Sequence, residues 1–225
     1  SNIESLTKEK INLLKKYGIN RISLGVQSFS EKTLKELNRH HTNKMVTDVI
    51  EYLKKVGITN ISIDYIYGVN SNLKEVQTDI KKFLELDIPH ISCYSLIIED
   101  GTIFKIKGKN YIDDKIDEQM YYLIEKTLEG NGYEHYEISN YAKEGYQSKH
   151  NLNYWNNGYY YGFGLGSVSY INNIRRTNTK NLSKYIKGDF LYSEEKESLK
   201  IRMSNDIILG LRKIKGVSIS KFNKL

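Results

Sequence analysis

The 225-residue chain has one cysteine (Cys93), one proline (Pro89) and one tryptophan (Trp155). A single cysteine excludes an internal disulfide framework. It also excludes an iron–sulfur cluster held by this chain alone, because such clusters take several thiolates. Arginine is scarce: only 6 of the 34 basic residues. Mean hydropathy is -0.55, and no apolar run approaches the roughly 20 residues of a membrane span. The opening SNIESLTKEK has no apolar stretch like that of a secretory signal. The expectation is a soluble, cytoplasmic protein. Walker A, G-x-S-x-G and H-E-x-x-H patterns are missing. Gly162-Phe163-Gly164-Leu165-Gly166 has the wrong spacing for a dinucleotide fingerprint.

What is abundant is lysine, with 28 Ile, 21 Asn and 19 Tyr. The formal charge is +7, yet there is no block of five or six like charges. Lysines alternate with glutamates, as in Lys8-Glu9-Lys10 and from Glu194 to Lys200. The excess therefore reads as solvated surface. The alternative is a docking module for an anionic membrane or another polyanion. Tyrosine density could suggest base stacking, but without interleaved arginine no nucleic-acid partner is expected.

Along the chain, strands and helices alternate at first. Helices are expected from Lys8 to Tyr17, from Ser30 to Asn38, from Asn43 to Val56 with Asn43 as cap, and from Leu73 to Leu86. Strands are expected at Asn20–Val26, Asn60–Tyr67 and Ile88–Leu96. Such spacing implies βα units and a parallel sheet. Then come a helix over Asp113–Glu129, a short strand over Tyr133–Ile138, a strand near Ser167–Ile171, a helix near Asn181–Lys187 and a helix from Glu194 to Ile214. From Tyr133 to Tyr170, 11 of 38 residues are aromatic, and that stretch shows no helical period. Both ends read as cut, so the sequence is expected to be a piece of a longer protein.

In parallel α/β folds, function gathers at the C-terminal ends of strands. Gly25 permits close backbone approach there, and Gln27 projects an amide just past the first strand. Asp64 lies in a strand expected to be buried on both faces, where a carboxylate is costly without a partner. It reads as a binding group or as a cap for a nearby loop. Arg39 offers a bidentate fork for carboxylate or phosphate, or it ends a helix favourably. His40 and His41 follow a helix end, His90 reads as structural, and His135 is uninformative. His150 stands in Ser148-Lys149-His150-Asn151-Leu152-Asn153-Tyr154-Trp155. An imidazole beside Trp and Tyr suits a flat aromatic ligand or an axial iron ligand; otherwise the segment is an aromatic loop packed on the barrel. Cys93 reads as a small core residue.

Three runs carry a resemblance. Arg21-Ile22-Ser23-Leu24-Gly25-Val26-Gln27-Ser28-Phe29, Leu37-Asn38-Arg39-His40 and Asp64-Tyr65-Ile66-Tyr67-Gly68 resemble the radical S-adenosylmethionine (SAM) family of oxygen-independent coproporphyrinogen III oxidases. Further runs look more specifically like its HemW branch, regarded as heme chaperones. These are His90-Ile91-Ser92 to Tyr94-Ser95-Leu96, Glu99-Asp100-Gly101-Thr102, Tyr136-Glu137-Ile138-Ser139-Asn140-Tyr141-Ala142 and His150-Asn151-Leu152-Asn153-Tyr154-Trp155.

The resemblance implies an α/β fold: the C-terminal part of a radical SAM (β/α) partial barrel over 1–104. It implies an α+β extension over 105–215 and the start of a truncated C-terminal domain over 216–225. It implies Gln27, Arg39 and Asp64 at a SAM site, and His150, Asn151, Tyr154 and Trp155 at a heme site, His150 as a possible iron ligand. It implies a [4Fe-4S] cluster whose C-x-x-x-C-x-x-C motif is absent here. The implied function is heme binding and delivery to a hemoprotein client. The alternative is oxidative decarboxylation of coproporphyrinogen III, with the chain inactive by itself. Two departures stand out. Tyr67-Gly68-Val69-Asn70 replaces the usual Y-G-L-P, and Val168 occupies the position of a family histidine in G-x-G-A-H-S.

Overall fold

A computed structural model describes residues 1–70 and 72–219. In chain order the elements are a 3-10 turn (Ile3–Ser5), α1 (Lys8–Lys16), β1 (Arg21–Gln27), α2 (Glu31–Glu36), α3 (Asn43–Lys55), β2 (Asn60–Tyr67), α4 (Leu73–Glu85), β3 (His90–Ser95), α5 (Ile103–Ile106), α6 (Asp114–Glu129), β4 (Glu134–Glu137) and β5 (Asn140–Ala142). Then follow α7 (Lys149–Trp155), β6 (Val168–Ile171), β7 (Ile174–Asn178), α8 (Leu182–Ile186), β8 (Leu191–Lys196) and α9 (Leu199–Gly210). The chain divides into two compact units, Ser1–Gln147 and Ser148–Leu225. The expected terminal segment over 216–225 falls largely outside the described residues.

The first unit is an open five-stranded sheet in the order β1-β2-β3-β5-β4. β1, β2 and β3 run parallel, and β5 and β4 are added antiparallel. Side chains alternate across a strand, and here the alternation separates two chemistries. Ile22, Leu24, Val26, Ile61, Ile63, Tyr65, Ile91, Cys93 and Tyr141 form one face and join the core. Against that face pack Ile11 of α1, Val46, Ile50 and Leu53 of α3, Val76, Ile80 and Phe83 of α4, and Met120 and Ile124 of α6. Each such buried side chain contributes about 1.5–3 kcal/mol. The opposite face carries Arg21, Ser23, Gly25, Asn60, Ser62, Asp64, His90, Ser92 and Asn140. Helices cover one face of Asp64's strand; the other is polar but also buried around it at Ser62, His90, Ser92 and Asn140, as expected of a strand buried on both faces, while Asp64 itself stays partly accessible.

Local chemistry explains the helix starts. Thr7, Ser30 and Asn72 cap α1, α2 and α4 through side-chain oxygens that accept backbone N–H groups. α3 is capped by Thr42, which accepts from the Met45 N–H; Asn43 is not the cap, and its amide instead donates to the Phe29 carbonyl at 3.1 Å. Gly18 and Gly57 follow helix ends at positive φ, where glycine carries no Cβ penalty.

The second unit holds an antiparallel three-stranded sheet, β6-β7-β8, with α7, α8 and α9. Two expectations change here. Residues 191–196 are a strand, and the helix begins only at Leu199, capped by Ser198. Arg176 of β7 donates to Glu194 of β8 at 2.6 Å, a cross-strand pair that fixes this glutamate in a sheet. The aromatic stretch does contain a helix, α7, started by the Ser148 side chain accepting from the Asn151 N–H.

Candidate functional site

The polar sheet face of the first unit is built by register. Gly25 pairs with Asp64, Asp64 with Ser92, Ser92 with Asn140, and Asn140 with Glu137. One row of small or hydrogen-bonding side chains thus crosses all five strands. Ser23 Oγ donates to Asp64 Oδ1 at 2.9 Å, so Asp64 is held in place while staying partly accessible. Gln27 ends β1 at a bulge with φ 68. A Cβ on Gly25 would stand 2.9 Å from the Gln27 amide nitrogen. Glycine is what lets that amide fold back along its own strand, toward the strand position opposite Asp64.

The loop beyond β1 is tied down. Ser28 Oγ and the Phe29 N–H both donate to Asp79 of α4, at 2.6 and 3.1 Å. Burial nevertheless pushes the Asp79 carboxyl above its usual range. His41 is buried with Nε2 3.1 Å from the Val26 carbonyl oxygen, which anchors the segment after α2 on β1. Arg39 sits two residues before this anchor, half-buried. Among the described residues its guanidinium has no hydrogen-bond or carboxylate partner. The structure therefore sets Gln27 and Asp64 on neighbouring strands and leaves Arg39, on the adjoining loop, with its donors open.

Deeper on the same face, His90 accepts and donates through both ring nitrogens. Nδ1 is 2.7 Å from Ser62 Oγ and Nε2 is 2.8 Å from the Tyr136 hydroxyl. Burial, with the Arg21 charge nearby, lowers its pKa to about 3, so the ring is neutral. Burial also pushes the Cys93 thiol up, which keeps it protonated and unsuited to ligate iron. Among the described residues no group of three His, Cys, Asp or Glu side chains could hold a metal ion.

The second unit has a cavity of about 530 Å³. Asn151, Tyr154 and Trp155 of α7 line it, with Tyr160, Arg175 and Asn205. His150 is exposed and does not line it; its ring stands edge-on to Tyr154 at 4.7 Å. Tyr154 packs edge-on against Tyr160 at 4.5 Å, and Arg212 lies over the Trp155 ring at 4.9 Å. Three of the four heme-site residues implied by resemblance thus share one cavity, and the fourth adjoins it. Val168, in place of the family histidine, is half-buried at the start of β6 and pairs with Thr177.

Reading the sequence missed Arg175 and Glu197. Glu197 is buried and accepts from Arg175 Nε (2.6 Å), the Tyr170 hydroxyl (2.7 Å) and Asn205 (2.9 Å). Burial works against the Arg175 charge, but the bond to Glu197 outweighs it and holds that pKa above the usual value. The rarity that singled out Arg39 applies equally to Arg175 and was the available signal.

Comparison with known proteins adds the family. Residues 1–83 match the model of the radical SAM superfamily. The heme chaperone HemW of Lactococcus lactis is 42% identical over 99% of this chain. The likeness to the radical SAM superfamily lies in residues 1–83. HemW of Bacillus subtilis is 38% identical, again over 99% of this chain. The chain spans 61% of the length of both relatives. Coproporphyrinogen III oxidase (HemN) of Escherichia coli, described as a radical SAM enzyme, shares the fold with a TM-score of 0.80 at 18% identity. That match covers 94% of this chain and 54% of HemN.

The radical SAM match over residues 1–83 implies SAM and a [4Fe-4S] cluster. The cluster does not fit this chain, whose one thiol is buried and protonated. Near the end of β1, Gln27 and Asp64 offer an amide and a carboxylate on neighbouring strands, and Arg39 on the loop after α2 has open donors, a donor set whose chemistry suits SAM. Among the described residues no helix is long and apolar enough to cross a membrane.

Proposed function

We propose that this chain is the SAM-binding and heme-binding part of a HemW-like heme chaperone that delivers heme to hemoproteins. In the first unit, Arg39 would hold the methionine carboxylate of SAM through its fork. Asp64 and Gln27 would hydrogen-bond the ribose hydroxyls, Asp64 being oriented by Ser23. A [4Fe-4S] cluster would need thiolates from outside this chain, and no step here is assigned to it. In the second unit, the cavity bounded by Tyr154, Trp155 and Tyr160 would take the heme face, with Asn151 on its rim. His150, exposed beside Tyr154, would reach the iron from the cavity's edge.

The observation that carries the reading is the convergence of Asn151, Tyr154 and Trp155 on one aromatic cavity large enough for much of a tetrapyrrole. Coproporphyrinogen oxidation is the runner-up, and a likeness to HemN in fold alone does not favour it. Hemin titration of this chain, followed by Soret absorption, tests the proposal. We expect saturable binding and a shifted Soret band in His150→Ala. An unchanged band would remove His150 as a ligand, and no saturable binding would sink the heme assignment.

A further inference from the structure

The cavity in the second unit contains an arginine more elaborately held than a structural ion pair requires. Arg175 comes from β7, at the middle of the three-stranded sheet. Its Nε donates to Glu197 at 2.6 Å, Nη1 to the Tyr160 hydroxyl at 3.3 Å and Nη2 to Asn157 Oδ1 at 3.4 Å. Its guanidinium lies 4.3 Å from the Tyr170 ring centroid. Asn157 is itself oriented, donating its amide to Asp206 at 3.0 Å, so its oxygen is the atom turned toward Arg175. Glu197 has its own three donors and lies behind the arginine, 7% exposed.

A guanidinium has five N–H donors. Three are used, and one remains on each of the two terminal nitrogens. The side chain is 29% exposed and lines the cavity. A planar, immobilised guanidinium with a donor left on each terminal nitrogen can meet the two oxygens of a carboxylate. The walls beside it are Tyr154, Trp155 and Tyr160, which suit a flat, largely apolar ring. Arg212 over Trp155 supplies a second cation at the same wall.

We infer that Arg175 is the anchor for a carboxylate arm of the ligand in this cavity, and so a specificity-determining residue for a flat aromatic carboxylic acid. The inference rests on the proposed heme reading for the ligand's identity. The rigid fork and the aromatic walls stand without it. Rigid donors lose little entropy on binding, and a ligand without the acid leaves the fork's charge uncompensated in a partly dry site. Esterifying the acid is therefore the sharpest perturbation.

Trp155 lines the cavity and is the chain's single tryptophan, so its quenching reports occupancy there. We would titrate the chain with hemin, with hemin dimethyl ester and with AMP as a phosphate-bearing flat ring. The expected result is quenching by hemin at least tenfold tighter than by the ester, with AMP weaker than both. In Arg175→Lys, which keeps the charge but not the fork, the preference should fall to within threefold while the ester's affinity holds. Equal affinity for hemin and ester in the unaltered chain would overturn the anchor role and leave the heme reading standing. AMP binding as tightly as hemin would overturn the carboxylate assignment. No Trp155 quenching by either tetrapyrrole would overturn the cavity reading and this inference together. The ester comparison needs no variant, so poor folding of Arg175→Lys would not shield the inference.

Discussion

His90 is sealed beneath the polar sheet face with Ser62 and Tyr136 on its two nitrogens, and its pKa is pushed down to about 3. In an unfolded chain the ring would titrate near the usual 6.5. Between those values the unfolded state binds a proton that the folded state refuses. Its contribution to stability is therefore complete above about pH 6.5, falls as the pH drops through that window, and bottoms out near pH 3. The loss should be on the order of a few kcal/mol. Urea unfolding at pH 7 and pH 4.5 checks this: His90→Gln should show a flatter pH dependence than the unaltered chain, and equal slopes would clear His90 of the effect. At this scale much was legible. Cys93 was read as core, where it lies; Gln27 and Asp64 were singled out by residue type at strand ends and Arg39 by its rarity, and their role at a SAM site remains a proposal. The partners were not legible. Ser62 and Tyr136 lie 28 and 46 residues from His90 in the chain, and no local pattern links them.

Elements were easiest to read where period and cap agree. β2 was expected at Asn60–Tyr67 and forms there, since its isoleucines and tyrosines alternate without a breaker. The start of α3 was placed one residue late, because Thr42 and Asn43 are both good caps and only the backbone decides. Thr42→Ala should cost about 1 kcal/mol and Thr42→Ser almost nothing. Thermal melts would show this as a drop in midpoint for alanine alone, and equal midpoints would discount the cap. β8 was misread as helix because Ser193-Glu194-Glu195-Lys196 is exposed throughout and so has no apolar period to betray a strand. Its conformation comes from pairing with β7. α7 was hidden for the opposite reason: glycine and tyrosine dominate the stretch around it, and its short, incompletely buried turn depends on the Ser148 cap.

At the scale of the molecule, two units carry two candidate sites, and neither supplies cluster ligands. Anaerobic reconstitution of this chain with iron and sulfide should give no [4Fe-4S] absorption, and Cys93→Ser should change nothing. One cluster per chain would contradict the assignment of its thiolates elsewhere. The sequence by itself determined the α/β class, the parallel run of the first strands and the likeness to radical SAM proteins, because these follow from periodicity and from short runs whose chemistry is local. It also determined that a cluster cannot be held here, which is a matter of counting thiols. Only the tertiary structure decided that the sheet has one polar face, since that requires knowing which face the helices cover. Only it gathered Asn151, Tyr154 and Trp155 with Arg175 around one cavity. Those groups come from a helix and a strand separated by twenty or more residues, and pairing across space, not spacing along the chain, brings them together.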